Sequence, residues 1–245
     1  MNRIESVNNP KIKAWAKLSR KKERDRAGLF LAEGEHLVKE ALTAGIAAFI
    51  LHDGSVSFDS DLEIETTPAV LARLSSSVSG TNALAICRIT EKPVLKKEKL
   101  LLLDGVQDPG NLGTLIRTAQ SFGYDAVYCS RKTCDFYNDK VIRSTQGALF
   151  HMPMIRTDLL TLSASLQKEG IPVIATTLRK ACPLKKLEAF ERHALILGNE
   201  GSGVAPELQA LADARVRIEM DGFESLNVAV AGGIMMYELS CRNGM

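Results

Sequence analysis

Short apolar runs and amphipathic stretches alternate along residues 1–90 of the chain. Apolar runs bounded by polar residues are typical of strands, whereas apolar positions that recur every three or four residues are typical of helices. Strands are predicted over 29–32, over 47–51, near Ile64 and over 83–89. Helices are predicted over 35–44 and from Thr67 and Pro68 onwards. This part of the chain is therefore predicted to form a small α/β unit.

The same alternation continues more regularly after residue 99. Strands are predicted over 100–104, 126–129, 172–176, 194–198 and 215–218, and helices over 111–122, 140–145, 159–168 and 226–241. Strands and helices in alternation are typical of a parallel sheet covered on both faces. Residues 91–99 between the two regions are charged and contain Pro93, as in a linker. We expect a small domain over 1–92, a linker over 93–99 and a larger domain over 100–245.

A basic segment opens the chain. Residues 1–30 carry nine Lys and Arg against three Asp and Glu, although the whole chain has a net charge of only +2. The sequence Asn8-Asn9-Pro10 is typical of a helix start. Three apolar residues recur behind it at helical spacing: Ile12, Trp15 and Leu18. This pattern predicts a basic amphipathic helix over 11–26, and a solvated face or a phosphate-binding face would both account for its charge.

The composition excludes several classes of protein. The chain has 245 residues, of which 45% are hydrophobic and 24% charged, as in globular proteins and unlike disordered ones. Its longest apolar run, 228–237, is half of the roughly 20 residues that a membrane helix needs. No secretory signal is recognisable, which favours the cytoplasm. The five cysteines have no metal-site spacing, so we expect reduced thiols and no metal.

Two glycine-containing loops follow predicted strands, where α/β proteins place their functional groups. The first, DGVQDPGNLG at 104–113, leads into a helix whose free N–H groups suit an anion. That helix carries Arg117 near its apolar face, where an arginine needs a partner. The second, LILGNEGSG at 195–203, places Glu200 between glycines, where an exposed structural acid and a functional acid are equally compatible with the sequence.

A third segment, ESLNVAVAGGI at 224–234, is small and apolar on every side. It predicts a helix that either lies in the core or packs against a loop or a second subunit, with another backbone approaching closely at the glycines. Ser225 is the expected cap of this helix, and Asn227 is an interior polar group that needs a partner. None of the three segments has the G-x-G-x-x-G or G-K-[ST] spacing of nucleotide sites, which disfavours a nucleotide-dependent oxidoreductase.

Together the three segments resemble the TrmH/SpoU branch of the SPOUT RNA methyltransferases. The matching sequences are DPGNLGTLIRTAQSFG at 108–123, LILGNEGSGV at 195–204 and ESLNVAVAGGIMMYEL at 224–239. The sequence RKKERDRAGLFLAEGEHLVKEAL at 20–42 resembles the start of the RNA-binding domain that many of these enzymes carry. The chain departs from the usual family pattern at Ala229, Asp139 and Thr145.

The resemblance implies methyl transfer from S-adenosylmethionine to a ribose 2′-hydroxyl of rRNA, above all large-subunit rRNA, or of tRNA. It implies a homodimer whose carboxyl-terminal domain forms a deep trefoil knot. The implied reaction-site residues are Asn111, Arg117, Glu200, Ser225 and Asn227. The implied donor-binding residues are Thr176, Leu197, Gly198, Ile218, Met220 and Leu226. The basic segment becomes the expected RNA-binding surface, with Lys11, Lys13, Arg20, Lys21 and Lys22.

The expected role of Arg117 follows from its chemistry. Because a guanidinium stays protonated in proteins, we expect Arg117 to hold a phosphate and to stabilise charge on the 2′-oxygen, and not to act as a base. Glu200 is expected to orient Arg117 or nearby backbone. Two alternatives remain open: an RNA-binding protein of this fold without turnover, and a methyltransferase that acts on a base. Product analysis distinguishes the base methyltransferase from the 2′-O-methyltransferase, because only a 2′-O-methyl nucleotide resists alkaline cleavage.

Overall fold

The structure is a computed structural model that describes residues 2–77, 80–178, 180–221 and 225–241. Its strands are β1 (Asn2–Ile4), β2 (Leu29–Glu33), β3 (Ala47–His52), β4 (Glu63–Thr66), β5 (Ala83–Arg88), β6 (Lys99–Asp104), β7 (Ala126–Cys129), β8 (Met154–Arg156), β9 (Val173–Thr176), β10 (Cys182–Pro183), β11 (His193–Gly198) and β12 (Ala214–Arg217). Its helices are α1 (Pro10–Ala16), α2 (Lys21–Ala27), α3 (Glu35–Thr43), α4 (Pro68–Leu74), α5 (Pro109–Ser121), α6 (Asp139–Thr145), α7 (Leu159–Lys168), α8 (Pro206–Leu211) and α9 (Val228–Cys241).

The chain divides into two compact units, each with a sheet of its own. The first unit contains the chain up to Glu91 together with Asp135–His151. The second contains Lys92–Cys134 together with the chain from Met152 onwards. The sequence places a domain change near residue 92, but it assigns 135–151 to the larger domain, whereas this segment packs within the first unit.

The first unit is built on a five-stranded mixed sheet in the order β1-β4-β3-β5-β2. Strands β1, β4 and β3 run parallel, and β5 is antiparallel to both β3 and β2. Helices α1 and α4 cover one face of this sheet and share a core with it. The buried side chains of that core are Ile12, Trp15, Leu18, Leu51, Ile64, Val70, Leu71, Leu74, Leu84 and Ile86.

The basic segment does not form the single helix predicted over 11–26. Asn9 caps α1 as expected, because its side chain accepts the N–H of Lys11 at 2.9 Å. Helix α1 ends at Ala16, a 3₁₀ turn follows, and Arg20 is extended before α2 begins. The break turns Arg24 inwards, where its Nη1 donates to the carbonyl of Leu18 at 2.8 Å. Helical spacing alone gives no sign of this buried arginine.

Contacts from Arg24 and from an aromatic cluster explain why residues 135–151 pack within the first unit. Nη2 of Arg24 forms an ion pair with the carboxylate of Asp135, and both side chains are largely buried. The ring of Phe30 lies 4.8 Å from that of Tyr137 and 5.7 Å from that of Phe150, centroid to centroid. These contacts join residues more than 100 positions apart, so local sequence patterns cannot show them.

The second unit contains a seven-stranded parallel sheet in the order β10-β12-β9-β11-β6-β7-β8. This confirms the predicted parallel α/β fold. Strand β11 lies at its centre beside β6, and β11 is buried along its whole length while β6 is buried over Leu100–Leu103, as their apolar sequences require. Strands β8 and β10 and helix α8 were not predicted, because two to six residues carry too little periodicity.

Helix α9 packs on α5 and β11 through its glycine face. A Cβ placed on Gly232 would lie 2.7 Å from Cδ1 of Leu197 and closer still to the side chain of Leu115. The close approach predicted at the glycines is therefore confirmed. The helix is not buried all round within the single chain, as a core helix would be. One side leaves three large apolar residues exposed: Val230 at 52%, Ile234 at 37% and Tyr237 at 52%.

Two properties of the described residues bear on the predicted class of protein. No helix in the described ranges has the length and apolar character needed to cross a membrane. The same residues contain no group of three or more His, Cys, Asp or Glu side chains arranged to hold a metal ion. All five cysteines are free thiols.

Acid is expected to destabilise the second unit through His193. Its imidazole is buried, with Nε2 2.9 Å from Oη of Tyr124. Burial, reinforced by nearby Lys99, lowers the pKa of His193 to about 4. Between about pH 6.5 and pH 4, His193 is protonated in the unfolded chain but neutral in the folded chain. The free energy of unfolding therefore falls as the pH drops from about 6.5 to about 4, by up to about 3 kcal/mol.

Urea unfolding at a series of pH values, with circular dichroism, checks this expectation. The control is His193→Gln, which keeps a polar group near Tyr124 but cannot titrate in this range. The difference in unfolding free energy between wild type and the variant should change across the stated pH window. A constant difference would show that His193 does not link stability to pH.

Candidate active site

The glycine loops gather at one edge of the parallel sheet in the second unit. Strands β6 and β11 are neighbours and end together, because Gly198 pairs in register with Asp104. The loops after these strands therefore begin side by side. Gly198 also lies so close to the backbone of Gly203 and Val204 that any side chain at 198 would overlap it. Glycine at position 198 is thus a packing requirement.

Glu200 anchors the first loop to the second. Its carboxylate accepts the backbone N–H of Gln107 at 3.2 Å, the N–H of Asp108 at 3.1 Å and Nδ2 of Asn111 at 3.0 Å. Burial alone would raise the pKa of Glu200, but the hydrogen bonds from Asn111 and from backbone N–H groups outweigh it and lower the pKa below the ordinary value of a glutamate. Glu200 is therefore ionised at neutral pH and orients backbone, one of its two expected roles.

A directional chain of hydrogen bonds continues from Glu200 to the third segment. Because a carboxylate only accepts, Asn111 must turn its Nδ2 towards Glu200 and its Oδ1 away. Oδ1 of Asn111 then accepts Nδ2 of Asn227 at 2.9 Å. Oδ1 of Asn227 in turn accepts the N–H of Ala229 at 2.8 Å and that of Val230 at 3.3 Å. The three loops are held in one arrangement.

The structure assigns the cap of α9 to Asn227 and not to Ser225 as predicted. Ser and Asn are both good capping residues, and the contact with Asn111 decides between them. Asn227 is exposed, although the sequence placed it in the interior. Its predicted need for a hydrogen-bond partner is met. Ser225 is exposed and makes no hydrogen bond within the described part of the chain.

Arg117 lies apart from this cluster. It follows Asn111 by six residues, which turns its side chain by about 240° around the helix axis. The guanidinium is exposed and has no hydrogen bond or ion pair among the residues that the structure describes. The predicted partner for Arg117 is thus not found within the described ranges of a single chain.

Sequence reasoning missed two side chains that shape these loops. Asp108 caps α5 by accepting the N–H of Asn111 at 2.8 Å. Asn199 joins the second loop to the first, since its Nδ2 donates to the carbonyl of Gly105 at 2.8 Å. Its Oδ1 accepts the N–H of Gly201 at 3.0 Å. Asp before Pro and Asn before Glu-Gly are both turn signals that point to such local bonds.

The residues expected to bind the methyl donor lie at or after the ends of neighbouring strands. Thr176 ends β9 and pairs in register with Val216 of β12, and its Oγ1 donates to the carbonyl of Ile196 at 3.0 Å. Leu197 and Gly198 end β11. Ile218 and Met220 follow β12, and Leu226 precedes α9 with 39% of its surface exposed. All six are uncharged, and Gly198 opens the tightly turned glycine loop, which fits an adenosine that needs apolar walls and backbone hydrogen bonds.

The predicted RNA-binding residues are all exposed, and they belong to the first unit. Nζ of Lys21 pairs with the carboxylate of Asp25 at 2.6 Å. Nζ of Lys11 lies 5.2 Å from the centre of the Phe49 ring. Lys13, Arg20 and Lys22 are the members of the set without such a neighbour in the described structure.

Comparison with known proteins gives matches across the whole chain. Residues 98–237 match the SpoU rRNA methylase family, and residues 9–85 match the MRM3-like substrate binding domain. The chain is 43% identical over 246 residues to the 23S rRNA (guanosine(2553)-2′-O)-methyltransferase RlmP of Bacillus subtilis (strain 168), covering 98% of this chain and 99% of that one.

Solved structures give the same result. An rRNA methyltransferase from Sinorhizobium meliloti with bound AdoMet superposes with a TM-score of 0.87 at 29% identity, covering 100% of this chain and 98% of that one. The SpoU methyltransferase AviRb from Streptomyces viridochromogenes, also with AdoMet, superposes with a TM-score of 0.83 at 25% identity, covering 96% and 98%.

Proposed function

This chain belongs to the SpoU rRNA methylase family and is an S-adenosylmethionine-dependent RNA methyltransferase, and we propose that it methylates a ribose 2′-hydroxyl of large-subunit rRNA. The observation that carries the proposal is the hydrogen-bond chain from Glu200 through Asn111 to Asn227. It joins the three segments that the family shares. The 43% identity to a 23S rRNA 2′-O-methyltransferase favours large-subunit rRNA over tRNA.

The chain's own residues position the reactants. When bound, S-adenosylmethionine supplies an activated methyl group. Thr176, Leu197 and Gly198 provide neutral walls and backbone groups at the strand ends. Glu200 and Asn111 hold the backbone of residues 107 and 108 in place, and preorganised groups of this kind cost no rearrangement during reaction. Alignment alone can account for much of the rate of such a transfer.

The proposed role of Arg117 requires a second copy of the chain. Arg117 is exposed on α5, the helix that packs against α9, and α9 presents Val230, Ile234 and Tyr237 to solvent. An uncharged, exposed apolar face of this kind is typical of a subunit interface. We propose that two chains associate through this face, and that Arg117 of one completes the reaction cluster of the other. Ser225 would join the site in the same assembly.

Mixed dimers test this arrangement. Arg117→Ala and Asn111→Ala are each expected to be inactive as homodimers. If Arg117 acts across the interface, random 1:1 mixing after dissociation should restore about a quarter of wild-type turnover, because half of the dimers then hold one intact site. A mixture as inactive as its components, or a chain that is monomeric in sedimentation, would contradict the proposal.

The function itself is tested with purified protein and RNA from a strain that lacks the gene. Calorimetric titration should show S-adenosylmethionine binding, and labelled methyl groups should enter large-subunit rRNA. The labelled nucleotide should resist alkaline cleavage. Transfer to tRNA would contradict the proposal that large-subunit rRNA is the substrate. An alkali-sensitive product would contradict the proposal of 2′-O-methylation. Binding of RNA without donor binding would indicate a protein of this fold without turnover.

We propose that residues 1–92 form an RNA-binding domain, that residues 93–99 form a linker, and that residues 100–245 form the methyltransferase domain. The match of residues 9–85 to a substrate-binding domain supports this division. The segment 135–151 is a structural part of the first unit. We also propose the deep trefoil knot and a cytoplasmic location. The match of residues 98–237 to the SpoU rRNA methylase family supports the knot that the resemblance implies.

Neutralising Lys13, Arg20 and Lys22 together is expected to weaken RNA binding and its salt dependence. Substitution of all three by Gln avoids deletion of residues 1–26, which would remove the buried Trp15 and Arg24 and unfold the unit. The slope of log affinity against log salt should fall by roughly 0.7–0.9 for each phosphate that the variant no longer neutralises. Filter binding to rRNA over a range of salt measures this. A slope equal to that of wild type would mean that these side chains are merely solvated.

Gly198→Ala is expected to weaken S-adenosylmethionine binding by tenfold or more. The added methyl group would overlap the backbone of Gly203 and Val204, so the second loop must move, at a cost of about 1–3 kcal/mol. Calorimetry measures the affinity. Gly201→Ala is the control in the same loop, because Gly201 does not have a left-handed backbone and a Cβ there would make only an ordinary contact, 3.6 Å from Oδ1 of Asn199. Equal affinities for wild type and Gly198→Ala would remove Gly198 from the donor site.

A further inference from the structure

A short loop after β7, residues 130–134, is fixed beside the first glycine loop. Oγ of Ser130 accepts the N–H of Gly105 at 3.0 Å. Oγ1 of Thr133 donates to the carbonyl of Leu103 at 3.0 Å. Because β7 is the neighbour of β6, this loop starts at the same sheet edge as the reaction cluster. None of the functional residues considered above belongs to it.

The backbone of this loop is held further by Arg156, at the end of β8. Its guanidinium donates to three carbonyls at 2.8 Å each: those of Ser130, Thr133 and Cys134. Five side-chain hydrogen bonds thus fix five residues. Such a loop loses little backbone freedom when it binds a ligand, so the points from which its side chains extend are already fixed.

Two cationic side chains project from this rigid loop into solvent, Arg131 and Lys132. Neither has a hydrogen bond or an ion pair within the described ranges. Cβ of Lys132 is 3.7 Å from the position that a Cβ on Gly105 would take, so Lys132 stands directly beside the first glycine loop. The pKa of Asp158 is lowered mainly by hydrogen bonds from Thr161 and also by Arg131, which places some negative charge near Arg131.

The order of the strands indicates which ligand would meet these charges. The proposed donor residues lie at β12, β9 and β11, the reaction cluster lies at β11 and β6, and the 130–134 loop lies beyond them at β7. An RNA strand that presents its ribose to this cluster must therefore approach over β6 and β7, because the other side is taken by the donor. Its backbone carries one negative charge per nucleotide.

We propose that Lys132, assisted by Arg131, binds a backbone phosphate of the RNA next to the nucleotide that is methylated. This inference rests on the proposed function and adds a positioning contact supplied by the catalytic unit itself. Lysine serves as a point charge for a phosphate, and its rigid loop fixes where that phosphate lies. The contact positions the strand and does not read its sequence.

Lys132→Gln is the decisive variant, with Lys96→Gln as its matched control. Lys96 is equally exposed but precedes β6, at the opposite edge of the parallel sheet. With rRNA from the deletion strain as the probe, Lys132→Gln should raise the RNA KM and the filter-binding Kd five- to tenfold, and lower the salt slope by roughly 0.7–0.9. S-adenosylmethionine affinity should not change, and Lys132→Arg should restore the RNA KM.

The outcomes separate this inference from the proposed function. If the wild type methylates rRNA but Lys132→Gln matches Lys96→Gln in KM, Kd and salt slope, the phosphate contact is overturned and the function stands. If the wild type transfers no methyl group but Lys132→Gln alone weakens rRNA binding, the contact stands and the function fails. A change in kcat or in donor affinity with an unchanged RNA Kd would also overturn it, because Lys132 would then act on the loop structure.

Discussion

Replacement of Arg117 by Ala should lower kcat for methyl transfer by a factor of about 10²–10³ while S-adenosylmethionine affinity stays unchanged, because the variant would lack the electrostatic group that we propose a second chain supplies to the reaction cluster. Arg117 is exposed and has no partner among the described residues, so its removal costs no internal bond. Single-turnover transfer to rRNA measures the rate, and calorimetry measures donor affinity.

Two further variants make this result specific. Gln120→Ala alters an exposed residue of α5 about one turn beyond Arg117 and should leave kcat unchanged. Arg117→Lys keeps the charge but loses the planar fork that binds phosphate oxygens in pairs, so an intermediate rate is expected. Near-normal turnover of Arg117→Ala would remove Arg117 from the reaction, and weaker donor binding would place it in the donor site instead.

The outlying position of Arg117 shows where helical periodicity stops being informative. In sequence, Arg117 is flanked by Ile116 and Thr118, and Ala119 is nearby. It is therefore predicted to lie at the border of an apolar face, where an arginine needs a partner. In the structure Ile116 and Ala119 are buried and Arg117 points to solvent. The pattern correctly identified the buried face but could not show that the arginine lacks a partner within the described chain.

The parallel sheet was more predictable than the contacts made by its loops. Leu100 to Leu103 form a continuous apolar run and are fully buried in β6, because both faces of a central parallel strand are covered. The cap of α9 was assigned incorrectly because Ser225 and Asn227 have similar intrinsic capping ability. Only the hydrogen bond between Asn111 and Asn227, across 116 residues, distinguishes them. Local propensity contains no such information.

The first unit owes its least predictable feature to a buried charge. Sequence alone would count Arg24 among the cations of a solvated helix, since Lys21, Lys22 and Arg26 surround it. Instead its side chain is buried and binds the carbonyls of Leu18 and Ser19 as well as Asp135. One arginine thus holds the break between α1 and α2 and attaches residues 135–151 to the unit.

Replacement of Arg24 by Ala should therefore destabilise the first unit by about 3–5 kcal/mol, because it leaves the carboxylate of Asp135 without its buried partner. Chemical denaturation of the full chain measures this through Trp15, the single tryptophan, which is buried in the core of the same unit.

The control lies on the same helix. Arg26 pairs with Glu23 but leaves 72% of its side chain exposed, and Arg26→Ala should cost less than about 1 kcal/mol. If the pair itself is responsible, the loss in an Arg24→Ala, Asp135→Ala double variant will be smaller than the sum of the two single losses. Equal losses of unfolding free energy for Arg24→Ala and Arg26→Ala would mean that the buried pair does not secure residues 135–151. Packing of Phe30 against Tyr137 and Phe150 would then hold the segment instead.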